Sequence, residues 1–246
     1  MRLLVSVRSA GEVEAAVEGG AEILDAKEPM RGSLGAVDAA ELARIADAVP
    51  HGMPFSIALG DLATPIAAAR SLDLVCSVAR RPAELYVKVG LAGVIQPAAA
   101  RSVLEAAVSA ARRSPLEPDV VAVAYADHGL AQAVGPEVVL DAAAETGVRG
   151  VLLDTWSKEG RPLFAWRTWA EIRGWVDRAR SRGLLTAIAG SLSLDHMALV
   201  RRLGPDVFGV RGAACEGGRT GVVRARLVQQ LAEAKRQADA ALAALA

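Results

Sequence analysis

Eight short apolar runs, each followed by a longer Ala-rich stretch, restrict this chain to very few architectures. The runs are RLLVSV (2–7), EILDAK (22–27), FSIALG (55–60), LYVKVG (85–90), VVAVAY (120–125), GVLLDT (150–155), LLTAIAG (184–190) and VFGVRG (207–212). The intervening segments with helical spacing cover 10–19, 38–48, 65–79, 96–113, 136–146, 165–182, 194–203 and 222–245. Near-continuous apolar strands joined by helical crossovers imply a parallel sheet covered by helices. Eight such units in 246 residues match a closed (β/α)8 barrel, the TIM-barrel architecture. An open doubly wound sheet calls for fewer strands and a Gly-x-Gly-x-x-Gly turn after the first, which is absent. No composition shift or linker divides the chain, so residues 1–246 read as one barrel domain.

The loops give this barrel a functional side. The turns leading into strands, such as EGGAE, ETGVRG, SRGLL and RLGPD, are short and carry Gly. The long irregular stretches EPMRGSLGA, SKEGRPLF and AACEGGRTG all follow strands, so they emerge at the face where barrel active sites lie.

Charge excludes some partners. With 28 basic and 28 acidic residues the chain is neutral, which argues against nucleic acid or an anionic membrane as a partner. No run approaches ~18 apolar residues, and the N-terminal apolar stretch is too short for a signal segment. A cytoplasmic globule is expected, forming a homo-oligomer whose order the sequence leaves open. Cys76 and Cys215 are far apart, and His51, His128 and His196 show no ligand spacing. No metal and no cofactor is therefore expected.

Lysine usage points to chemistry. Of four lysines, Lys27, Lys88 and Lys158 fall at or just beyond strand ends, and only Lys235 lies in a polar helix; the other 24 basic residues are Arg. Unlike arginine, lysine can shed its proton and attack a carbonyl. Asp25 and Lys27 lie two apart on one strand and point the same way, and Asp154 ends the sixth strand four residues before Lys158. Two readings stay open for Asp25 and Lys27: a structural ion pair, or an amine nucleophile beside a proton carrier. Lys88 and Lys158 equally suit phosphate or carboxylate binding. Neighbouring ammoniums and burial favour a neutral amine, whereas the carboxylates oppose it, so the sequence leaves open which lysine is neutral.

Phosphate binding has its own signature. AGSLSLDH (189–196) and VRGAACEGG (210–218) follow the last two strands, the usual phosphate site of such barrels. Gly190 and Gly212 let backbone N–H groups approach an anion, helix N-termini add partial charge, Ser191 is a cap or ligand, and Arg211 a charge partner. A weaker second anion site is RGSLGA, with Arg31, Gly32, Ser33 and Gly35. Plain Gly-containing turns are the alternative. Asp61 and Asp127 either line the mouth or cap helices, and Tyr125 offers a hydroxyl to the cleft. Trp156 is placed to shield the site, whereas Trp166, Trp169 and Trp175 have the spacing of core or interface residues.

The ordered set DAKEP, GSLGA, KVG, LLDT, IAGS and VRGAAC resembles the (5-formylfuran-3-yl)methyl phosphate synthase family over nearly the whole chain. The resemblance implies a barrel like class I aldolases, a role in methanofuran biosynthesis, and condensation of two glyceraldehyde 3-phosphate molecules to a furan aldehyde phosphate. It makes Lys27 the Schiff-base lysine and Lys88 the proton acceptor. Asp25, Asp154 and Lys158 fall on the remaining charged positions. The small-molecule partner is then a phosphosugar. Departures are mild: Trp156 and Ser157 fill the interval before Lys158, and the segment after Asp61 lacks a family-typical lysine. Two alternatives remain: a related Schiff-base aldolase of triose phosphates, or a non-catalytic phosphosugar-binding barrel.

Overall fold

The computed structural model describes residues 1–78, 82 and 84–244. Eight parallel strands close in chain order: β1 (Arg2–Val7), β2 (Ile23–Ala26), β3 (Phe55–Asp61), β4 (Leu85–Gly90), β5 (Asp119–Tyr125), β6 (Gly150–Asp154), β7 (Leu185–Ile188) and β8 (Val207–Val210). The barrel shuts where β1 pairs with both β2 and β8. The expected (β/α)8 architecture is the one formed. Outside it lie α1 (Val13–Glu18), α2 (Ala39–Ala48), α3 (Pro65–Val78), α4 (Pro97–Arg113), α5 (Pro136–Thr146), α6 (Trp169–Ser181), α7 (Met197–Leu203) and α8 (Ala225–Ala243).

Local chemistry sets the helix starts. α4 and α5 open on proline, whose fixed φ suits the first helical turn and whose missing N–H is unneeded there. Asp38 accepts a hydrogen bond from Glu41 N ahead of α2. Thr168 and Glu171 form a reciprocal capping box, which starts α6 at Trp169 rather than at residue 165. The last helix begins at Ala225 rather than 222, because Val222–Val223 pair antiparallel with Cys215–Glu216. Residues 79 and 245, expected to end two helices, lie outside the described residues.

Strand alternation splits the core in two. Leu3, Val5, Phe55, Ile57, Val87, Leu153 and Phe208 face the helices. Each such side chain removed from water is worth about 1.5–3 kcal/mol. Ile23, Ala58, Tyr86, Val121, Leu152, Ala187 and Val207 instead face the barrel axis. Among the described residues no helix is long and apolar enough to cross a membrane.

A buried ion pair fastens the closing seam. Arg211, just after β8, places Nη1 2.8 Å from Glu12 Oε2, and both side chains are almost wholly buried. The other guanidinium N–H groups donate to the carbonyl oxygens of Ser6, Arg219 and Gly221 and to Glu12 Oε1. Glu12→Ala leaves an uncompensated charge there and is expected to cost about 3–5 kcal/mol. The midpoint of urea unfolding checks this; a shift within 0.5 kcal/mol (roughly the surface-substitution range) would show the seam to be held elsewhere.

Candidate active site

Five charged side chains converge at the C-terminal mouth. Asp25 projects from β2, Lys27 follows it, Lys88 lies on β4 and Asp154 ends β6. The backbone N–H of Lys27 still donates to Val7 O at 2.9 Å, so the residue is held in the sheet's register. Lys27 and Lys88 are only 8% and 5% exposed, and Asp25 and Asp154 are fully buried. Lys158 reaches back from the sixth loop.

The pairing is selective. Lys88 Nζ lies 2.7 Å from Asp25 Oδ1, and Ser6 Oγ donates to Asp25 Oδ2 at 2.7 Å. Lys158 Nζ lies 2.8 Å from Asp154 Oδ1 and donates to Thr155 O as well. Asp154 also accepts from Thr155 N at 2.7 Å. The Asp25–Lys27 pair that their spacing allows does not form; Asp25 is engaged instead by Lys88, which reaches over β3 from β4. Three amines thus share two carboxylates, and among the described residues Lys27 has no ion-pair partner of its own.

Electrostatics follows from that count. Burial, then the ammonium of Lys88, pull Lys27 down to about 7, against the opposing pull of Asp154 and Asp25. Burial pushes the Asp154 carboxyl up, but Lys158 and Lys27 outweigh it and hold the group below its ordinary value. Lys27 is thereby drawn toward its neutral, nucleophilic form near pH 7.

The rim is built from the last two barrel loops. Gly190, Ser191, Arg211 and Gly212 line the same cavity as the lysines. Gly190 has φ 105° and Ser191 φ 51°, both left-handed. A Cβ at Gly190 would stand 3.1 Å from Thr155 N, so only glycine fits there without displacing the Asp154 loop. The segments that follow are short turns, Leu194–His196 and Gly212–Ala214, so no long helix aims its terminus at the rim.

Two expected phosphate ligands are otherwise employed. Arg211 spends all five N–H groups on Glu12 and carbonyl oxygens, which leaves none for an anion. Ser33 is buried and donates to Thr155 O at 2.9 Å, so it braces the Asp154 loop instead of the mouth. Arg31 turns Nη1 to Ala36 O at 3.1 Å. Arg219, which sequence reasoning passed over, lines the cavity while donating to Pro29 O and Gly32 O. Three of its N–H groups stay uncommitted among the described residues.

Other polar residues support the frame. Asp127 accepts from Trp156 N and Ser157 N at 2.7 and 2.8 Å, which pins the loop carrying Lys158. Asp61 accepts from the Tyr125 hydroxyl at 2.6 Å. A Cβ on Gly90 would sit 2.2 Å from Asp61 Oδ1 and 2.8 Å from that hydroxyl, so glycine makes room for the contact. Neither aspartate caps a helix. Trp156 is 40% exposed, and Trp175 is core, its indole donating to Pro136 O. Among the described residues no group of three His, Cys, Asp or Glu could hold a metal ion. Ser6, Ser56 and Glu12 also escaped the sequence reading. For the serines a signal existed: each is a single hydroxyl inside an otherwise apolar strand, at an inward position.

Fold and site together define an enzyme of the (β/α)8-barrel class, with its charged cluster at the C-terminal mouth. The 3-hexulose-6-phosphate synthase of Salmonella typhimurium superposes with a TM-score of 0.64 at 17% identity, over 96% of this chain and 100% of that one. Phosphoribosyl anthranilate isomerase of Thermus thermophilus gives 0.61 at 15% identity, over 96% and 99%. These likenesses establish the fold. The family model for 4-HFC-P synthase matches residues 3–232. The (5-formylfuran-3-yl)methyl phosphate synthase of Methanopyrus kandleri is 40% identical over 95% of this chain and 98% of its own. That of Methanocaldococcus jannaschii is 35% identical over 95% and 99%. The chain belongs to the 4-HFC-P synthase family.

Proposed function

We propose that this enzyme condenses two molecules of glyceraldehyde 3-phosphate to (5-formylfuran-3-yl)methyl phosphate through a Schiff base on Lys27. Atoms balance with the loss of one phosphate and two waters. One observation carries the reading: of three converging amines, Lys27 alone lacks a carboxylate partner among the described residues, and burial beside the Lys88 ammonium pulls it down to about 7. The names of the relatives support the product.

In this reading the Lys27 amine adds to a triose carbonyl and expels water, leaving an iminium that acidifies the adjacent carbon. Lys88, neighbour to Lys27 and paired with Asp25, exchanges protons with that carbon, and Ser6 fixes the carboxylate that positions it. Asp154 and Lys158 form the opposite wall, where Asp154 balances the iminium charge. Gly190, Ser191 and Gly212 hold the phosphate, with Arg219 as its guanidinium in place of Arg211.

Incubation with glyceraldehyde 3-phosphate alone tests the reading. A furan chromophore is expected, with a borohydride-trapped adduct on Lys27 located by peptide mass spectrometry. A sugar phosphate in place of the furan would make the chain a simple Schiff-base aldolase. Ligand binding without turnover would make it a binding protein.

A further inference from the structure

The axis of a (β/α)8 barrel is ordinarily filled by layers of branched side chains. Here a cavity of about 520 Å³ runs from the loops down past the lysines. Its lower walls are Leu4, Ile23, Val121, Leu152 and Val207 over a floor of Tyr86. The Tyr86 hydroxyl is held by Glu84 and Arg2, which closes the chamber below. Space exists because Ser56, Ala187 and Gly209 occupy inward positions where bulk would fill the axis.

One polar group faces this chamber without a partner. Ser56 Oγ is buried, the residue being 1% exposed, and among the described residues it has no hydrogen-bond partner. An unsatisfied buried hydroxyl is costly, a penalty a ligand atom can relieve. Ser56 pairs in register with Asp25 and Tyr86, whereas Lys88 pairs with Ala58 two residues on. The Ser56 backbone thus lies roughly 6.6 Å below that of Lys88 along the sheet, beside Asp25, at the foot of the charged cluster.

Resting on the function proposed above, we infer that the lower chamber is a subsite for the furan ring, with the Ser56 hydroxyl donating to the formyl oxygen. The product's two substituents leave opposite sides of a flat ring. With the phosphate arm held at the rim, the formyl group points down the axis toward Ser56. Apolar walls suit the ring faces; of the three hydroxyls at that register, Ser6 is held by Asp25 and Tyr86 by Glu84 and Arg2, which leaves Ser56 for the formyl oxygen.

Equilibrium binding of three probes tests this: the furan aldehyde phosphate, furan-3-ylmethyl phosphate without the formyl group, and inorganic phosphate. Ser56→Ala is expected to weaken the aldehyde about tenfold and leave the other two unchanged. Gly209→Val is expected to weaken both furans at least tenfold and spare phosphate. A Cβ at Gly209 would meet Ala189 Cβ at 3.4 Å and Leu4 Cδ2 at 3.7 Å, ordinary contacts, and Gly209→Ala serves if the valine variant fails to fold. Variants that bind all three probes as the parent does would overturn the subsite. Borohydride trapping on Lys27 is read separately, so loss of the adduct with ring selection intact would strike only the Schiff-base mechanism.

Discussion

Replacing Lys27 by arginine is expected to lower turnover by a factor on the order of 10³ or more and to remove the trapped adduct entirely. Arginine keeps the positive charge and much of the bulk but does not release a proton in the working range. Electrostatic binding therefore survives while the nucleophile is lost. The methionine variant adds a second reading of the same physics. In the folded chain Lys27 titrates at about 7, against roughly 10.4 for a free lysine. Between those values the unfolded chain binds more protons, so this residue makes the protein more stable as pH rises from about 7 to about 10.4. Below 7 both states are protonated and the penalty is constant. Lys27→Met removes it, so the variant is expected to gain on the order of 2–4 kcal/mol at pH 7, an advantage that fades as pH rises and is gone above pH ~10.4. Urea unfolding at pH 7 and pH 10.5 (roughly the free-lysine value) measures the difference. A dead variant that is no more stable than the parent would mean that Lys27 rests charged.

Lys88→Met is expected to lower kcat/KM at pH 7 by about 10², with part of the loss recovered in alkaline solution. Two effects act in the same direction on Lys27. The ammonium that depresses it disappears, and Asp25, freed from its 2.7 Å partner, becomes available to stabilise its charge. The rising limb of the parent's profile, governed by deprotonation of Lys27, is expected at about pH 7 and should move upward in the variant. Recovery stays partial because the proposed proton acceptor itself is missing. A variant whose limb remains near pH 7 would show that Lys88 does not set the state of Lys27.

Legibility differed between frame and site. FSIALG and GVLLDT read as strands because burial on both faces leaves a nearly unbroken apolar run. Lys27, Lys88 and Lys158 stood out because the chain uses arginine for nearly all its other positive charge. Arg211 misled: its position after the eighth strand suits an anion, but its neighbour in space is Glu12, 199 residues earlier. Ser33 misled similarly, since a loop hydroxyl near glycines looks the same whether it meets a ligand or Thr155 O. Arg219 carried no local mark beyond its charge.

The number of β/α units, their order, the face on which the long loops emerge, and the residue types able to attack a carbonyl are all written in the amino-acid order. Those properties depend on periodicity and side-chain chemistry, which are local. Folding in three dimensions sends Asp25 to Lys88 and Asp154 to Lys158, leaves Lys27 without a counter-ion among the described residues, and keeps the axis beneath open. Protonation and partner choice depend on distance and dielectric across strands far apart in the chain, and barrel closure sets both.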